Sequence, residues 1–331
     1  MVIIKSIKEI ANIKESVITI GNFDGVHKGH QVLIGKTVEH AKKENIQSIV
    51  FTFANHPVNY FRPNSTKNII SNDDKIKLLE DLGIDIVVII PFDEYMTKIP
   101  AKDFVDEILV KKLKAKKIVI GHDFTFARAK EGNVNLLKSL EHEFGFEVEV
   151  IKPIKINDVR VSSTYIRSLV SQGDMANVKE YLGRNYKLEG CVIHSKHLGR
   201  TIGFPTANID LKNNMLVPKR GIYASIVHIG DETYFGATNV GYNPTVNGKT
   251  LSIETNILEF DRDIYGENII VEFLERIRDE RKFNSIDDLK NQLYNDTNYV
   301  YENYVCKNKW CMIKWLRKIT ITRHLNTPIN A

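Results

Sequence analysis

Ten residues near the N-terminus, GNFDGVHKGH from Gly21 to His30, combine two histidines and an aspartate with three glycines. The imidazoles of His27 and His30 can donate hydrogen bonds to phosphoryl oxygens that gain charge in a transition state, and the glycines let the backbone approach a nucleotide closely. The stretch lies between an apolar run that ends at Ile20 and a predicted helix that begins near Gly29, where backbone amides and the helix dipole favour anions. It predicts phosphoryl or nucleotidyl transfer, although a glycine-rich turn with two surface histidines could also form for purely local reasons.

Hydroxyl and guanidinium groups are concentrated in a second stretch, VSSTYIR, which ends at Arg167. Arg160, just before it, and Arg167 offer forked donors that suit pyrophosphate. The hydroxyl groups and free amides of the stretch can cap the start of a helix. These residues are candidate phosphate ligands, and plain N-capping is the alternative for the hydroxyls. The hydroxyl-bearing candidates are Ser162, Ser163 and Thr164.

Both stretches resemble motifs of a known family. GNFDGVHKGH is similar to the HxGH signature of the adenylyltransferase superfamily, with His27, Gly29 and His30 in the signature positions, and its flanks resemble the prokaryotic bifunctional riboflavin kinase and FAD synthetase family. TFANHP and GHDFTFARAKEGN resemble two further loops of that family, with Asn55 where proline is usual and Ala127 where glycine is usual. VSSTYIR resembles the segment that holds nucleotide phosphates in the superfamily.

The resemblance implies a nucleotide site in the first half of the chain. Both histidines and both arginines named above would act in catalysis by offsetting charge on the transferring and leaving groups. When the family is left aside, Asp123 and the two phenylalanines after it could equally form a turn with core packing. The implied nucleotide-binding residues are Gly21, Asp24, Gly29, Asp123, Ser163 and Thr164.

LGRTIGFPTANI, which ends at Ile209, closely matches the GFPTANI signature of riboflavin kinases. In that family the threonine and asparagine hold Mg²⁺ and nucleotide phosphates, so the resemblance implies that Thr206 and Asn208 are metal ligands and that Gly203 contacts the nucleotide. A hydroxyl, an amide carbonyl and phosphate oxygens are ligands that Mg²⁺ accepts. A strand-edge turn around Pro205 is the alternative when the family is left aside.

Further family segments follow in the expected order, and one contains a candidate base. Glu254 lies where the family has the general base for the riboflavin 5′-hydroxyl; an exposed cross-strand glutamate is the alternative. RIRDERKF resembles a segment near the flavin and implies flavin binding by Arg278, which would otherwise belong to a solvated charged turn. Asn256 replaces a usual histidine, and Ser195 replaces a glycine of the nucleotide flap.

The resemblance therefore implies a bifunctional enzyme of flavin-cofactor biosynthesis. The second half would phosphorylate riboflavin with ATP and Mg²⁺ to give FMN, and the first half would join AMP from ATP to FMN, giving FAD and pyrophosphate. Two alternatives stay open: an adenylyltransferase for a different phosphorylated acceptor with a non-catalytic barrel, and a flavin- or RNA-binding module. The expected partners are small molecules only, with no nucleic acid and no membrane, and the sequence leaves the oligomeric state open.

The two halves of the chain show different patterns of predicted strands and helices, and these elements must position the candidate residues. Up to about Gly183, β-branched runs alternate with segments of helical period, which predicts a doubly wound α/β domain of the HxGH nucleotidyltransferase kind with ligands at the strands' carboxyl ends. After Gly183, closely spaced strands predict a small antiparallel Greek-key barrel, followed by a helix from Ile286. The predicted divisions are residues 1–183, residues 184–305 and a basic extension of unknown role, residues 306–331.

Individual elements are predicted from the same periodicities. The first-half strands are Val17–Ile20, Ser48–Phe53, Ile86–Ile90, Lys117–Ile120 and Glu147–Ile151. The helices are His30–Glu44, Asp73–Leu82 with Asn72 as a possible cap, Lys102–Leu113, Val134–Phe144 and two short ones within Ser163–Leu182. The second-half strands are Lys187–His194, Gly221–His228, Thr233–Asn239, Ser252–Phe260 and Asn268–Phe273.

The composition restricts the class of protein. The chain has 331 residues, of which 43% are hydrophobic and 26% charged, as in ordinary globular proteins. No apolar run approaches the ~20 residues of a membrane span, and no secretory signal is visible. The net charge of +5 is too mild to indicate nucleic-acid binding by itself. Three scattered cysteines fit reduced thiols, so we expect a cytoplasmic protein without a zinc site.

Overall fold

The computed structural model describes residues 1–194, 202–211, 214–245 and 248–307, and these residues form two compact units. The first unit comprises Met1–Ser168, Glu180–Gly183 and Asn214–Leu216. The second comprises Leu169–Lys179 and, as far as they are described, Arg184–Asn213 and the residues from Val217 onward. Within these ranges, no helix has the length and apolar composition that crossing a bilayer requires.

A six-stranded parallel sheet forms the centre of the first unit. Its strands are β1 (Val2–Ile4), β2 (Ser16–Ile20), β3 (Gln47–Phe53), β4 (Ile86–Ile90), β5 (Ala115–Gly121) and β8 (Glu147–Ile151). Strands β6 (Thr125–Phe126) and β7 (Gly132–Asn133), between β5 and β8 in the chain, form a separate hairpin. The spatial order is β1, β4, β3, β2, β5, β8. The chain leaves the sheet centre in opposite directions from β2 and β5, which confirms the doubly wound prediction. The carboxyl ends of these two strands form the switch point at which such sheets bind ligands.

Burial on both faces explains why the sheet strands are continuous apolar runs. Ile18, Val50, Val87 and Ile118 are fully buried. The five predicted strands are confirmed, whereas β1 has no counterpart in the prediction because three residues carry no readable period. A second hairpin, β9 (Lys155–Ile156) with β10 (Val159–Arg160), follows the sheet.

Helices α1 (Lys28–Glu44) and α3 (Asn72–Asp81) agree with prediction, apart from the cap of α3. Ser71 is the cap, because its Oγ accepts a hydrogen bond from the Asp74 backbone N–H at 3.1 Å. Asn72 instead donates from Nδ2 to the backbone oxygen of Ala54 at 2.8 Å. Between α1 and α3 lies the short helix α2 (Pro57–Phe61).

The remaining helices of the chain's first half are more divided than predicted. Helix α4 (Glu94–Lys98) is followed by α5 (Ala101–Asp103), which continues as a π-helical segment, Phe104–Lys112. The predicted helix Val134–Phe144 is divided at Leu140 into α6 (Val134–Ser139) and α7 (Glu141–Phe144). Two further helices, α8 (Ser163–Gln172) and α9 (Met175–Leu182), match the predicted pair.

The second unit contains a closed, six-stranded antiparallel barrel, as predicted. Its strands are β11 (Tyr186–Ile193), β12 (Ala207–Leu211), β13 (Gly221–Ile229), β14 (Glu232–Thr245), β15 (Gly248–Ile257) and β16 (Asn268–Arg278). Their order around the barrel is β11, β12, β15, β14, β13, β16. Strand β12 has no counterpart in the sequence prediction, because Pro205 and the polar residues after it have the composition of a turn.

Side chains fill the barrel interior, and buried residues alternate with less buried ones along the strands. Tyr223 and Phe273 are fully buried. Along β15, Ile253, Thr255 and Ile257 are buried, whereas the alternating Ser252, Glu254 and Asn256 are only partly buried. Because successive strand residues point to opposite faces, this second set lies on the outer face of the barrel.

A C-terminal helix, α10 (Ile286–Val300), follows the barrel as predicted and continues as a π-helical segment, Tyr301–Cys306. Arg278 at the end of β16 forms a bidentate pair with Asp296 of α10, with Nε to Oδ1 at 2.8 Å and a terminal nitrogen to Oδ2 at 2.6 Å. Asp296 is only 2% exposed, and Gln292 also donates to it at 2.7 Å. This pair links the helix to the barrel.

We expect Asp296→Ala to lower the free energy of unfolding of the second unit by about 3 to 5 kcal/mol, because it leaves the mostly buried Arg278 guanidinium without its counter-ion. Urea unfolding followed by circular dichroism measures the change. Asp261→Ala, at an exposed position, is the matched control. An effect of Asp296→Ala no larger than that of the control would contradict the prediction.

Candidate active sites

A cavity of about 740 Å³ lies at the switch point of the parallel sheet. Its wall is formed by the loop between β2 and α1, the end of β5 with the following loop, the segment after β8 and the start of α8. Stretches that are far apart in sequence therefore meet at one place. The predicted site residues that line the cavity are Gly21, Asp24, His27, Gly29, His30, Asp123, Arg160, Ser163, Thr164 and Arg167.

The two signature histidines lie at the N-terminus of α1. His27 is the cap of this helix, and its Nδ1 accepts a hydrogen bond from the His30 backbone N–H at 3.2 Å. The two rings are stacked, with centroids 3.5 Å apart and an interplanar angle of 15°. A Cβ atom on Gly29 would lie 3.2 Å from the His27 ring, so glycine leaves room for the stack. The imidazoles and the amides of the first turn thus face the cavity together.

His30 is neutral at physiological pH. Burial lowers the pKa of His30 well below its usual value, and the nearby charges of His27 and Lys75 lower it further. Its buried Nδ1 atom has no hydrogen-bond partner among the residues that the structure describes. A neutral imidazole can donate one N–H to a phosphoryl oxygen without giving up a proton.

Asp24 is a support for Arg167. Its carboxylate forms an ion pair with the Arg167 guanidinium and accepts a hydrogen bond from the Ile69 backbone N–H at 3.0 Å. The Nε atom of Arg167 also donates to the backbone oxygen of Lys67 at 3.1 Å. Burial raises the pKa of Asp24, and the positive charge of Arg167 opposes this effect. Asp24, for which the resemblance implies nucleotide binding, also holds Arg167 at the cavity wall.

A second aspartate–arginine pair lies on another wall of the cavity. Asp123 Oδ2 accepts a hydrogen bond from a terminal nitrogen of Arg160 at 2.5 Å. Burial alone would raise the pKa of Asp123, but the hydrogen bond and charge of Arg160 outweigh it and lower the pKa overall. A guanidinium has five N–H donors, so each paired arginine retains donors for an anion.

The start of α8 combines capping with support of the histidine loop. Ser162 is the capping residue, because its Oγ accepts a hydrogen bond from the Tyr165 backbone N–H at 3.2 Å. Ser163 has a different role, since its Oγ donates to the backbone oxygen of Asp24 at 2.9 Å. Plain N-capping therefore accounts for Ser162 but not for Ser163. Thr164 lies at the cavity wall in the first turn.

Asn55 stands where the resembled family has proline, and it joins two loops at the cavity. Its Nδ2 donates to the backbone oxygen of Phe92 at 3.1 Å, and the Phe92 N–H donates to its Oδ1 at 2.7 Å. The next residue, His56, caps α2 and lines the cavity. Burial, with the charges of Arg167 and Lys75, lowers the pKa of His56 to about 4.

Lys75 of α3 is a charged residue behind the site that no sequence motif indicates. It is 5% exposed, and its Nζ donates to the backbone oxygen of Phe53 at 3.1 Å. Burial lowers the pKa of Lys75 to about 8, although the carboxylate of Asp24 opposes the shift. The available signal is its spacing of four from the buried Leu79, which places it on the inner face of the helix.

Ala127 has a backbone conformation that suits glycine, the residue usual in the resembled family. Its φ of 62° and ψ of −168° lie in a region that is almost exclusive to glycine and costs other residues about 1 to 3 kcal/mol.

We expect Ala127→Gly to raise the free energy of unfolding of the first unit by about 1 kcal/mol. Relief of this strain exceeds the entropy that glycine gains in the unfolded chain, about 0.5 to 1 kcal/mol. Denaturant unfolding measures the effect, with Ala41→Gly inside α1 as the control that should destabilise. A lower stability of Ala127→Gly than of the parent protein would contradict the prediction.

Aromatic side chains form the apolar part of the same cavity. The rings of Phe53 and Phe92 meet edge to face with centroids 5.1 Å apart, and those of Phe124 and Phe126 are stacked at 5.5 Å. A planar apolar ring system fits such a wall. The aromatic lining residues are Phe53, Phe61, Phe92, Phe104, Phe124 and Phe126.

In the second unit, Asn208 and Glu254 lie directly opposite each other on β12 and β15. Opposed residues of antiparallel strands share a face, with Cβ atoms about 4.5 to 5.5 Å apart. Thr206 lies two residues before Asn208, next to the start of β12. Asn256, which stands where histidine is usual, donates from Nδ2 to the backbone oxygen of Pro205 at 2.7 Å. Asn208, Glu254 and Asn256 thus place two amides and a carboxylate on the outer face of the barrel, and Thr206 precedes them at the start of β12.

The other predicted residues of the second unit have different surroundings. Gly203, with a φ of 87°, lies in the turn that leads to β12. Arg278 is engaged by Asp296, so flavin binding by Arg278 stays a prediction. Ser195 lies outside the described residues, and so does the basic extension beyond Lys307.

Both halves of the chain match families of known proteins. A family model described as FAD synthetase matches residues 9–165, and one described as riboflavin kinase matches residues 182–304. Three curated relatives are named bifunctional riboflavin kinase/FMN adenylyltransferase. The Escherichia coli K12 protein is 34% identical over 299 residues, 88% of this chain and 95% of its own. Those of Bacillus subtilis (36% over 288 residues, 85% and 90%) and Haemophilus influenzae (38% over 281 residues, 84% and 91%) are similar.

A crystal structure from Streptococcus pneumoniae, named a macrolide-efflux protein, has a similar fold. Its TM-score is 0.83 at 33% sequence identity, with 92% of this chain and 99% of that chain covered. The similarity therefore extends over nearly the whole length of both chains.

Proposed function

The chain belongs to the bifunctional riboflavin kinase/FMN adenylyltransferase family, and from that premise we propose which of its residues carry the two reactions. It is an ATP-dependent transferase of flavin-cofactor biosynthesis, which phosphorylates riboflavin to FMN and adenylylates FMN to FAD. The cavity of the first unit carries the adenylylation, and the outer face of the barrel carries the phosphorylation. We propose residues 1–183 and 184–305 as the corresponding domains, although Leu169–Lys179 pack with the second unit and Asn214–Leu216 with the first.

In the adenylylation, a phosphate oxygen of FMN attacks the α-phosphorus of ATP, and the bond to the bridging oxygen of pyrophosphate breaks. The side chains act by position and charge, because phosphoryl transfer needs no covalent intermediate with the protein. The neutral His30 and the adjacent His27 donate hydrogen bonds to the reacting phosphoryl oxygens. Arg160 and Arg167, each held by an aspartate, offset the charge of the departing pyrophosphate.

The aromatic part of the cavity gives the flavin a place beside this phosphate-binding wall. The isoalloxazine is planar and largely apolar, so burial against phenylalanine rings is favourable. The FMN phosphate would then extend toward the histidines. An acceptor without a large ring system would leave this wall exposed, which favours FMN over other phosphorylated acceptors.

In the phosphorylation, Glu254 accepts the proton of the riboflavin 5′-hydroxyl as its oxygen attacks the γ-phosphorus of ATP, and ADP leaves. Geometry supports this role, because Glu254 lies on the outer face directly opposite Asn208. Thr206 and Asn208 would hold the nucleotide phosphates at that edge of the site.

Thr206 and Asn208 also fit a magnesium ion. Among the described residues, no three histidine, cysteine, aspartate or glutamate side chains are grouped to hold a metal by themselves. A hydroxyl and an amide oxygen beside the nucleotide suit a cation that shares its shell with phosphates and water, as Mg²⁺ does. When bound, the ion would neutralise charge on the β- and γ-phosphates.

One observation carries the proposal: the ten predicted first-half residues line one cavity, while Asn208 and Glu254 lie opposite each other on the outer face of the barrel. The test is incubation with riboflavin, ATP and Mg²⁺, with chromatographic separation of riboflavin, FMN and FAD over time. We expect FMN first and FAD later. FAD formation from supplied FMN without any conversion of riboflavin would instead favour an adenylyltransferase with a non-catalytic barrel.

A further inference from the structure

A third polar residue, Asn239, continues the row of Asn208 and Glu254. Asn239 of β14 lies directly opposite Glu254 of β15, just as Asn208 of β12 does from the other side. The buried Thr238 and Val240 flank Asn239 on β14, so its side chain shares the outer face with Glu254. Glu254 therefore has an amide on each side, at a strand spacing of about 4.8 Å.

The carbonyl end of the Asn239 side chain is an acceptor that none of the described residues supplies with a donor. Its Oδ1 atom is buried and has no hydrogen-bond partner among the described residues. The Nδ2 atom faces the neighbouring Gly241: it lies 3.2 Å from the place that a Cβ atom would take there, and the Glu280 carboxylate lies beside the same place. The amide nitrogen is therefore on the side of a carboxylate, which supports the assignment of Oδ1 as the free end.

A buried hydrogen-bond acceptor such as Asn239 Oδ1 favours a ligand that carries a hydrogen-bond donor. Leaving such a group unpaired costs about 1 to 3 kcal/mol, so a bound substrate that supplies an O–H gains affinity there. Phosphate oxygens are acceptors and do not meet this need, whereas the polyol chain of riboflavin carries several hydroxyls. Glu254, the neighbouring residue, is also an acceptor. Two acceptors side by side match two successive hydroxyls.

We propose that Asn239 binds the ribityl chain of riboflavin through the 4′-hydroxyl, next to the 5′-hydroxyl that faces Glu254. The assignment rests on the proposed kinase site. The row then has an order: Asn208 on the phosphate side, Glu254 at the reacting hydroxyl and Asn239 on the polyol side. Asn208 and Asn239 are two strand spacings apart, about 10 Å, so one amide cannot serve both ends of the reaction.

The test is a double-mutant cycle in which one change is made in the protein and the other in the substrate. Phosphorylation of riboflavin and of 4′-deoxyriboflavin is measured with the full-length parent enzyme and with its Asn239→Ala variant. The parent enzyme should lose about tenfold in kcat/KM for phosphorylation when the 4′-hydroxyl is absent. Asn239→Ala should lose about as much with riboflavin and less than twofold more with the deoxy substrate, because the two changes remove the same hydrogen bond.

Controls separate binding from folding. Asn239→Ala should keep the parental KM for ATP and the parental rate of FMN adenylylation, and so should Asn268→Ala at an exposed strand position. Equal use of both flavins by the parent enzyme, which needs no variant, would overturn the proposal. So would a tenfold preference for riboflavin that persists in Asn239→Ala.

Glu254→Gln, measured in parallel, distinguishes this proposal from the proposed kinase site. Full activity of Glu254→Gln together with coupling between Asn239 and the 4′-hydroxyl would reject Glu254 as the base and retain Asn239. Loss of activity in Glu254→Gln without that coupling would retain the kinase site and reject Asn239.

Discussion

Replacing His30 by alanine should lower the rate of FMN adenylylation by roughly 10²- to 10³-fold and leave riboflavin phosphorylation unchanged. The ring of His30 is stacked on that of His27 at the start of α1, inside the cavity where both arginines converge. A neutral donor in a desolvated site stabilises developing charge without the cost of reorganising water. The measurement is the initial rate of FAD formation from FMN, compared with the rate of FMN formation from riboflavin.

A second histidine of α1 provides the control for this experiment. His40 lies on the same helix, outside the cavity, and is 2.5 Å from Glu149. His40→Ala should retain both activities. His30→Gln keeps an N–H donor of similar reach and should recover part of the lost rate. A similar loss of both activities in His30→Ala would contradict the assignment of two separate sites.

Replacing Glu254 by glutamine should lower kcat for riboflavin phosphorylation by about 10²- to 10⁴-fold, the usual contribution of a general base. Glutamine has the same shape and cannot accept the proton of the 5′-hydroxyl. The KM for ATP should change little, because phosphate binding is assigned to Thr206 and Asn208. Steady-state kinetics of FMN formation, with each substrate varied in turn, measures both effects.

Adenylylation of supplied FMN is the internal control for Glu254→Gln, because its residues lie in the first unit. Glu232→Gln, at an exposed position of the same barrel where the glutamate pairs with Arg262, should retain both activities. If Glu254→Gln phosphorylated riboflavin within threefold of the parental rate, the base would have to be another group.

Buried charged residues influence one another in the site of the first unit. Asp24 anchors Arg167, while Lys75 is buried behind His30 and contributes to its low pKa. The positive charges of Arg167 and Lys75 favour a polyphosphate in the cavity, while burial, together with the charges of His27 and Lys75, keeps the pKa of His30 low. Lys75 therefore contributes both to the positive charge near the cavity and to the low pKa of His30.

Local patterns in the sequence determined much of this arrangement. The β-branched runs predict the five main strands of the parallel sheet, because burial on both faces demands continuous apolar residues. The chain order of strands and helices predicts a doubly wound sheet, and this places GNFDGVHKGH at its switch point. The closely spaced strands after Gly183 likewise predict the antiparallel barrel. These properties depend on neighbours in sequence, so they can be predicted without the tertiary structure.

Contacts between distant residues were decided only by the tertiary structure. Strand β12 forms because closure of the barrel pairs it with β11 and β15, although its composition suggests a turn. The register of β14 against β15 places Asn239 opposite Glu254, and a shift by one residue would turn it to the other face. The packing of α3 on the sheet buries Lys75, and the Asp296 carboxylate of α10 engages Arg278. Each of these contacts joins segments whose spacing in sequence carries no periodic signal, so only the fold brings them together.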